Sequence, residues 1–576
     1  MGIGDWGLGP IPNTNPQSPI PNTFLFSFLI KNIKLNLKST QLKIKNMSDN
    51  ISDKGSDEHM YSYNKDPNNE NKFQSGAIRR SLGENDIDIH EPVPELASRP
   101  SIVHIEETPP FYCLIFLVFG VIEIVFTALF GFYYTWDDNT NHPEITDKLA
   151  REKAKSEIKN KYQYFQDMLV VILLGFGFLR SSQKHHLWSS IILTLIGGAV
   201  SFQIASIFLI VWNSIIEREW IGGKYNFEHF LDALYLTACY IISFGAFFGK
   251  LTFPQYYIIN LIETIFSTLN YIIIRYSLKL IDIGGTLTVH LFAAIFGGTF
   301  SMVSYCNKNE IERISTSIHL GSDHNSILFS LFGSLIIIPY WPSFNTALVD
   351  GNQKYRGIIN TYFSIGGSII GIFFMSHLLN RRKFKIEDLI YASFPGAIVI
   401  AGCCHIIKEF YLCILFGILA AIFTTLMIFL FYEKCQIQNK GYHDTSQILF
   451  YHGLPAILGG IISIIFTANL DNWKDDNEMI NFDYKKFIGS FQNVTEFNEI
   501  NHFGGKAGEM LGGIFITIII AGIGGLLSGF SNKFCRCNIV KRYFNDSEFF
   551  HVDRTEPFPW KDEEVQFKFQ EKMHQK

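Results

Sequence analysis

Charge is scarce in this chain: Asp, Glu, Lys and Arg make up 18 % of its 576 residues, for a net charge of −5. No Lys/Arg-rich run is long enough to point to nucleic acid as a partner. The nine cysteines are scattered, mostly inside apolar stretches, as at Cys113, Cys239, Cys306 and Cys413. They form neither a disulfide framework nor a paired CxxC zinc pattern. Cys403-Cys404-His405 sets metal-friendly residues in a row, but neighbours on a helix point in different directions, so inert thiols are the reading and no metal is expected. Nucleophile elbow, HExxH and phosphate-binding loop are all missing, so nothing argues for an enzyme or for a cofactor.

What is abundant is apolar and aromatic: 48 % of the residues are hydrophobic, with 54 Phe and 25 Tyr. Nearly charge-free windows of about 20 residues, the length that crosses a bilayer as a helix, recur from Phe111 to Phe530. The fold class is therefore an all-α polytopic membrane protein, embedded in a lipid bilayer. Twelve spans are expected, near 111–135, 164–182, 186–212, 228–250, 254–280, 283–306, 325–346, 356–379, 386–407, 410–432, 447–468 and 508–530. Gly175, Gly177, Pro339, Pro342 and Pro395 fall inside them, as bundled membrane helices tolerate. Gly197, Gly198, Gly366 and Gly367 are expected at close helix contacts.

Residues 1–110 are polar, Asn- and Lys-rich and punctuated by Pro10, Pro12, Pro16, Pro92, Pro94 and Pro109. Such a segment cannot bury enough apolar surface to offset its ordering entropy and is expected to be disordered. Its apolar patch Phe24 to Ile30 is too short to span and has no signal-peptide n-region or cleavage site. Trp6 stands where a myristoylation motif needs Ser or Thr, and a functional start at Met47 is compatible with this composition. The tail 531–576 is charged and expected to be solvated; Cys535 and Cys537 are plain juxtamembrane thiols in this reading.

The stretch that organises the chain occurs twice. Asp282 to Gly298 and Asp444 to Gly460 both follow the pattern Asp, seven residues, His, six residues, Gly-Gly, displaced by 162 residues. His290 and His452 thus sit in apolar runs, where an ionisable group is by default functional. They fall in the sixth and eleventh expected spans, an odd number apart, so their helices run oppositely. That makes an inverted repeat of spans two to six on spans seven to eleven, with its site near the midplane. Eight residues at 1.5 Å rise carry each His about 12 Å deeper than its Asp, close to the centre of a hydrocarbon core about 30 Å thick. Asp282 and Asp444 are too distant to share an ion with the histidines and read as helix caps or as vestibule charges.

Orientation rests on positive charge. Arg381-Arg382-Lys383-Phe384-Lys385 after the eighth span, and Lys533, Arg536, Lys541 and Arg542 after the twelfth, place both termini in the cytoplasm. Lys148, Arg151, Lys153, Lys155, Lys159 and Lys161 after the first span are a counter-signal. The sequon Asn493-Val494-Thr495 is a glycosylation candidate that would put its loop outside. The membrane itself, plasma or organellar, is not specified.

These residues resemble the ammonium transporter and Rh glycoprotein superfamily, and within it the Rh branch. The likeness is carried by F-Q-D at 165–167, G-F-G-F-L at 175–179, F-G-A-F-F-G-K at 244–250, I-D-I-G-G-T-L-T-V-H at 281–290, Y-W-P-S-F-N-T-A at 340–347, I-N-T-Y at 359–362 and H-G-L-P-A-I-L-G-G at 452–460, in family order. The resemblance implies an ammonium transporter-like fold, a homotrimer with a pore in each subunit, and His290 and His452 as twin pore histidines. It maps a paired aromatic gate onto Tyr235 and Phe344, with Tyr235 replacing the usual Phe and its hydroxyl expected to alter hydration at the gate. Tyr271 and Ile327 stand where acids are expected.

A bare ammonium in a narrow apolar channel carries a large desolvation penalty, escaped by losing its charge. Facing imidazoles offer a donor and an acceptor to a passing neutral molecule. The expected function is thus an ammonia/ammonium channel or transporter in which ammonium is deprotonated at the gate and NH3 passes the histidines. Carbon dioxide is the alternative cargo, and a non-conducting Rh-type membrane scaffold or sensor the alternative of another class.

Overall fold

The computed structural model describes residues 110–136, 161–218, 223–305, 320–349, 353–380, 382–432, 443–469, 503–534 and 543–546, together with 314, 317 and 550. The expected N-terminal extension up to residue 109 and the sequon at Asn493 lie outside these residues. Helices dominate because backbone N–H and C=O groups in lipid must be satisfied within their own segment. In chain order they are α1 (Pro110–Tyr133), α2 (Lys161–Leu179), α3 (Leu187–Glu217), α4 (Phe227–Phe247), α5 (Phe253–Ser277), α6 (Thr286–Ser304), α7 (His324–Thr346), α8 (Gln353–Leu379), α9 (Ile386–Ile390), α10 (Phe394–Val399), α11 (Phe410–Tyr432), α12 (Leu449–Ala468) and α13 (Phe503–Phe534).

Among the described residues ten helices are long and apolar enough to cross a membrane, against the twelve expected spans. The first expected span is α1, whose 24 residues from Pro110 to Tyr133 have the length that crosses a bilayer. The ninth, 386–407, is not one continuous helix: it breaks into α9, α10 and a run of turns through Ile406. Pro395 starts α10, and a Cβ on Gly396 would lie 2.3 Å from Ser364 O, so bare backbone presses on α8 here. The freed carbonyls are taken up by neighbours. Asn345 Nδ2 donates to Ala397 O at 2.9 Å, Asn360 Nδ2 to Cys404 O at 2.8 Å and Ile407 O at 2.7 Å, and Ser364 and Ser368 hydroxyls to Gly396 O and Ala392 O at 2.7 Å each. Irregular backbone at this depth is tolerated because protein satisfies it.

The fold also holds one element outside the all-α expectation, a two-stranded parallel sheet. β1 (Tyr134–Trp136) pairs with β2 (Gly223–Tyr225), Tyr134 opposite Gly223. The Tyr134 hydroxyl donates to Ser206 O at 2.7 Å and ties the sheet to α3.

α4 lies in the interior, almost every residue buried. Outer helices instead expose large apolar side chains, among them Leu335, Phe374, Leu419 and Phe515, as a surface solvated by lipid requires. α8 runs along α11 at backbone contact. A Cβ on Gly417 would lie 2.1 Å from Ser364 O, and one on Gly367 2.3 Å from Ile414 O. Gly366, expected at the same contact, faces open space with nothing within 4 Å, because adjacent helical positions point in different directions.

Part of the expected solvated tail is buried. Tyr543, Phe544, Asn545 and Asp546 are all buried, with Phe544 N donating to Gly249 O at 2.8 Å and Asp546 N to His185 O at 2.9 Å. The correction has a local cause: the Asp546 carboxylate caps α3, accepting from Trp188 N at 2.7 Å and Ser189 N at 2.9 Å, where His186 at the N-cap position supplies no side-chain hydrogen bond.

Candidate functional site

Two helices begin alike. Before α6 the chain turns at Gly285, whose φ of 72° is left-handed and suits glycine. Asp282 accepts from Leu287 N at 3.1 Å and from Thr288 N and Oγ1 at 2.8 Å. His290 N then reaches back five residues to Gly285 O at 2.9 Å, a wide π-helical turn over Thr286–Leu291. Before α12, Asp444 accepts from Leu449 N at 3.1 Å, again five residues on, and a π-helical turn covers Leu449–Gly453. Single π turns of this kind occur frequently at functional sites. Both carboxylates are buried and face helix amides.

The two π turns present His290 and His452 to each other. Their Nδ1 atoms are 3.3 Å apart, with ring centres 5.4 Å apart and planes 30° from parallel. One Nδ1 must carry a proton and the other a lone pair, so the pair takes complementary tautomers. Both side chains are buried, yet His290 Nε2 has no protein hydrogen-bond partner. Aromatic rings enclose the pair. Phe176 and Phe394 lie 6.2 and 5.2 Å from the His452 ring, and Trp341 and Phe344 lie 6.0 and 6.2 Å from that of His290. Trp341 Nε1 is also buried and unpartnered. Two polar nitrogens without partners are costly in a solid core and suit a space that a small polar molecule enters.

Tyr235 and Phe344 stack at 4.8 Å between ring centres, both buried. The Tyr235 hydroxyl is not free to hydrate a mouth, as the sequence suggested: it donates to the Phe344 carbonyl. Tyr271 and Ile327 supply no acid, but two other acids lie close by. Asp232 on α4 is buried and fully engaged, accepting from Tyr271 and, at 2.7 Å, from the Tyr276 hydroxyl, with Arg275 at 3.7 Å. Asp167 on α2, part of the F-Q-D motif, is half-buried and hydrogen-bonded with Ser343, next to Phe344. Phe176, Phe394 and Trp341 were passed over, since nothing distinguishes an enclosing ring from a core ring in sequence.

Cys403 and Cys404 are buried free thiols in the turns that replace the ninth span. Among the described residues no group of three or more His, Cys, Asp or Glu is placed to hold a metal ion.

Fold and site together define a polytopic helical membrane protein built around a buried pair of imidazoles in an aromatic enclosure. The chain belongs to the ammonium transporter family, whose family model matches residues 145–534, and within it to the Rh branch; the family is one of transporters, not enzymes. It is 30 % identical over 356 residues to the ammonium transporter Rh type A of Bos taurus, covering 60 % of this chain and 80 % of that protein. It is 27 % identical over 457 residues to Rhesus-like glycoprotein B of Dictyostelium discoideum, covering 76 % and 72 %. Its fold is similar to that of Rh50 from Nitrosomonas europaea, with a TM-score of 0.58 at 22 % identity over 73 % of this chain and all of that one.

Proposed function

We propose that this protein carries ammonium or ammonia across a membrane, and that the crossing species at the centre is neutral ammonia. The family and the Rh-type ammonium transporters among its relatives support the cargo. The observation that carries the route is the histidine pair, Nδ1 to Nδ1 at 3.3 Å inside a ring of aromatic side chains, with His290 Nε2 left without a protein partner. Ammonia can donate to or accept from such a nitrogen, which aliphatic walls do not allow.

In this reading cations gather beside Asp167 and meet the stacked Tyr235 and Phe344. Passing that stack strips water from ammonium, and the charged form becomes far more expensive than the neutral one. The proton stays behind, and ammonia slips past Phe344 and Trp341 to the imidazoles. Asp282 and Asp444 act as caps that fix the two π turns and so the facing of the rings. The matched starts of α6 and α12 support the inverted repeat, and the subunit is read as one of three, each with its own pathway and both termini in the cytoplasm.

The test is ammonia flux into proteoliposomes, followed with an internal pH dye. Replacing both His290 and His452 by Ala is expected to lower the flux severalfold and change its pH dependence. Unchanged flux and pH profile in the double variant would refute the assigned path. Flux of carbon dioxide but not ammonia through the same vesicles would reassign the cargo.

A further inference from the structure

One buried charge has no place in the path just described. Arg180 follows α2 directly and is only 3 % exposed. Its guanidinium carbon lies between two rings, 5.3 Å from the centre of Phe176 and 5.1 Å from that of Phe244. Nη2 donates to the carbonyls of Ile241 and Ile242 on α4, while Nη1 is buried with no hydrogen-bond partner. Glu263 on α5 is also fully buried, but it accepts from Ser243 Oγ at 2.5 Å, leaves Oε1 unpartnered and makes no hydrogen bond with Arg180. Guanidinium is protonated under all ordinary conditions, so its charge is fixed and only loosely neutralised.

Its position gives that charge a consequence. Phe176, one turn back on α2, is both the ring under Arg180 and a ring beside His452, at 6.2 Å. Ile241 and Ile242 follow Tyr235 on α4 by six and seven residues, about 10 Å along the helix axis. Arg180 therefore lies beyond the histidine pair from the Tyr235–Phe344 stack. A clamp holding α2 to α4 would need only the two carbonyl bonds. It would not need a lone charge, which is costly at this depth and marks function by default.

We propose that Arg180 is the charge filter of the pathway, a fixed cation past His452 that turns back ammonium and protons while uncharged ammonia passes. This rests on the transport reading above. Fixed positive charge beside a narrow passage excludes cations in other membrane pores. Two unit charges about 10 Å apart at an effective dielectric near 20 repel enough to suppress cation entry about tenfold. Arg180 is a specificity residue in this account, acting through its field on what moves past the imidazoles.

The experiment measures ammonia flux and electrical current together, on proteoliposomes under an ammonium gradient. Wild-type protein is expected to give flux without current. Arg180→Met should add an ammonium-dependent current about tenfold above the wild-type background, whereas Arg180→Lys, which keeps the charge, should stay silent. If Arg180→Met does not fold, Arg180→Gln retains N–H donors for Ile241 and Ile242 and carries the same expectation. Current through the wild type, or wild-type flux without current in the neutral variants, overturns the filter and leaves the ammonia path standing. Absence of any wild-type ammonia flux defeats the path itself.

Discussion

Replacing Asp546 by Ala should release the C-terminal segment from the membrane domain, and the size of the effect can be worked out bond by bond. The carboxylate accepts from Trp188 N at 2.7 Å and Ser189 N at 2.9 Å and pairs with His186 Nδ1 at 3.3 Å. It is thus a cap supplied to α3 from 357 residues further along the chain. Loss of a cap costs about 1 kcal/mol, and loss of a negative charge at a helix N-terminus about 0.5 kcal/mol. A local loss near 1.5 kcal/mol corresponds to roughly tenfold more frequent opening. Hydrogen exchange on peptides covering 186–190 and 543–546 should speed up by about that factor, while peptides from α8 and α11 keep their rates. Burial alone would raise the Asp546 carboxyl, but hydrogen bonding and charge from His186, with the Ser189 contacts, hold it below its ordinary 3.8. The sign follows: this stabilisation is complete above the unfolded value and is lost only as pH falls through the depressed one. Identical exchange in the variant and wild type at neutral pH would show that Phe544, seated against Gly249, anchors the segment unaided.

Gly417→Ala should push α8 off α11, because the new Cβ would lie 2.1 Å from Ser364 O and backbone cannot yield as a side chain can. A loss of about 1–3 kcal/mol should appear as a lower melting point in detergent, with Gly366→Ala, which meets nothing within 4 Å, as the neutral control. Stability should also rise with pH. Burial lowers Lys250, in the loop between α4 and α5, from 10.5 to about 7, and burial with the Lys250 charge holds His443 well below 6.5. The unfolded chain then binds more protons than the folded one, below about pH 6.5 at His443 and between about 7 and 10.5 at Lys250. The melting point should climb through both windows, and Lys250→Met should flatten the upper one; a melting point that falls between pH 7 and 10 would contradict the assignment.

How much of this was legible beforehand follows from which interactions are local. A membrane helix advertises itself because about 20 apolar residues in a row have few other uses, so most of the spans could be placed from hydropathy alone. His290 and His452 were singled out by their shared spacing to an Asp, and the same local cap at each site sets the turn that brings their rings to 3.3 Å. The break at 386–407 was hidden for the opposite reason. Pro395 and Gly402 are ordinary in membrane helices, and what makes a break tolerable there is Asn345 and Asn360 arriving from α7 and α8 to bind carbonyls more than 40 residues away. The Asp546 cap is hidden in the same way, since a lone carboxylate in a charged tail carries no sign of the helix it will meet. Arg180 shows the limit most sharply. In sequence it is merely the first charge after an apolar run, the usual mark of a helix leaving the bilayer, and such residues ordinarily snorkel to water. The ring of Phe176 on its own helix, with the Phe244 ring and two carbonyls from α4, holds it inside instead. A charge whose hydrogen bonds all go to another helix therefore reads as a boundary in one dimension and as a buried field source in three.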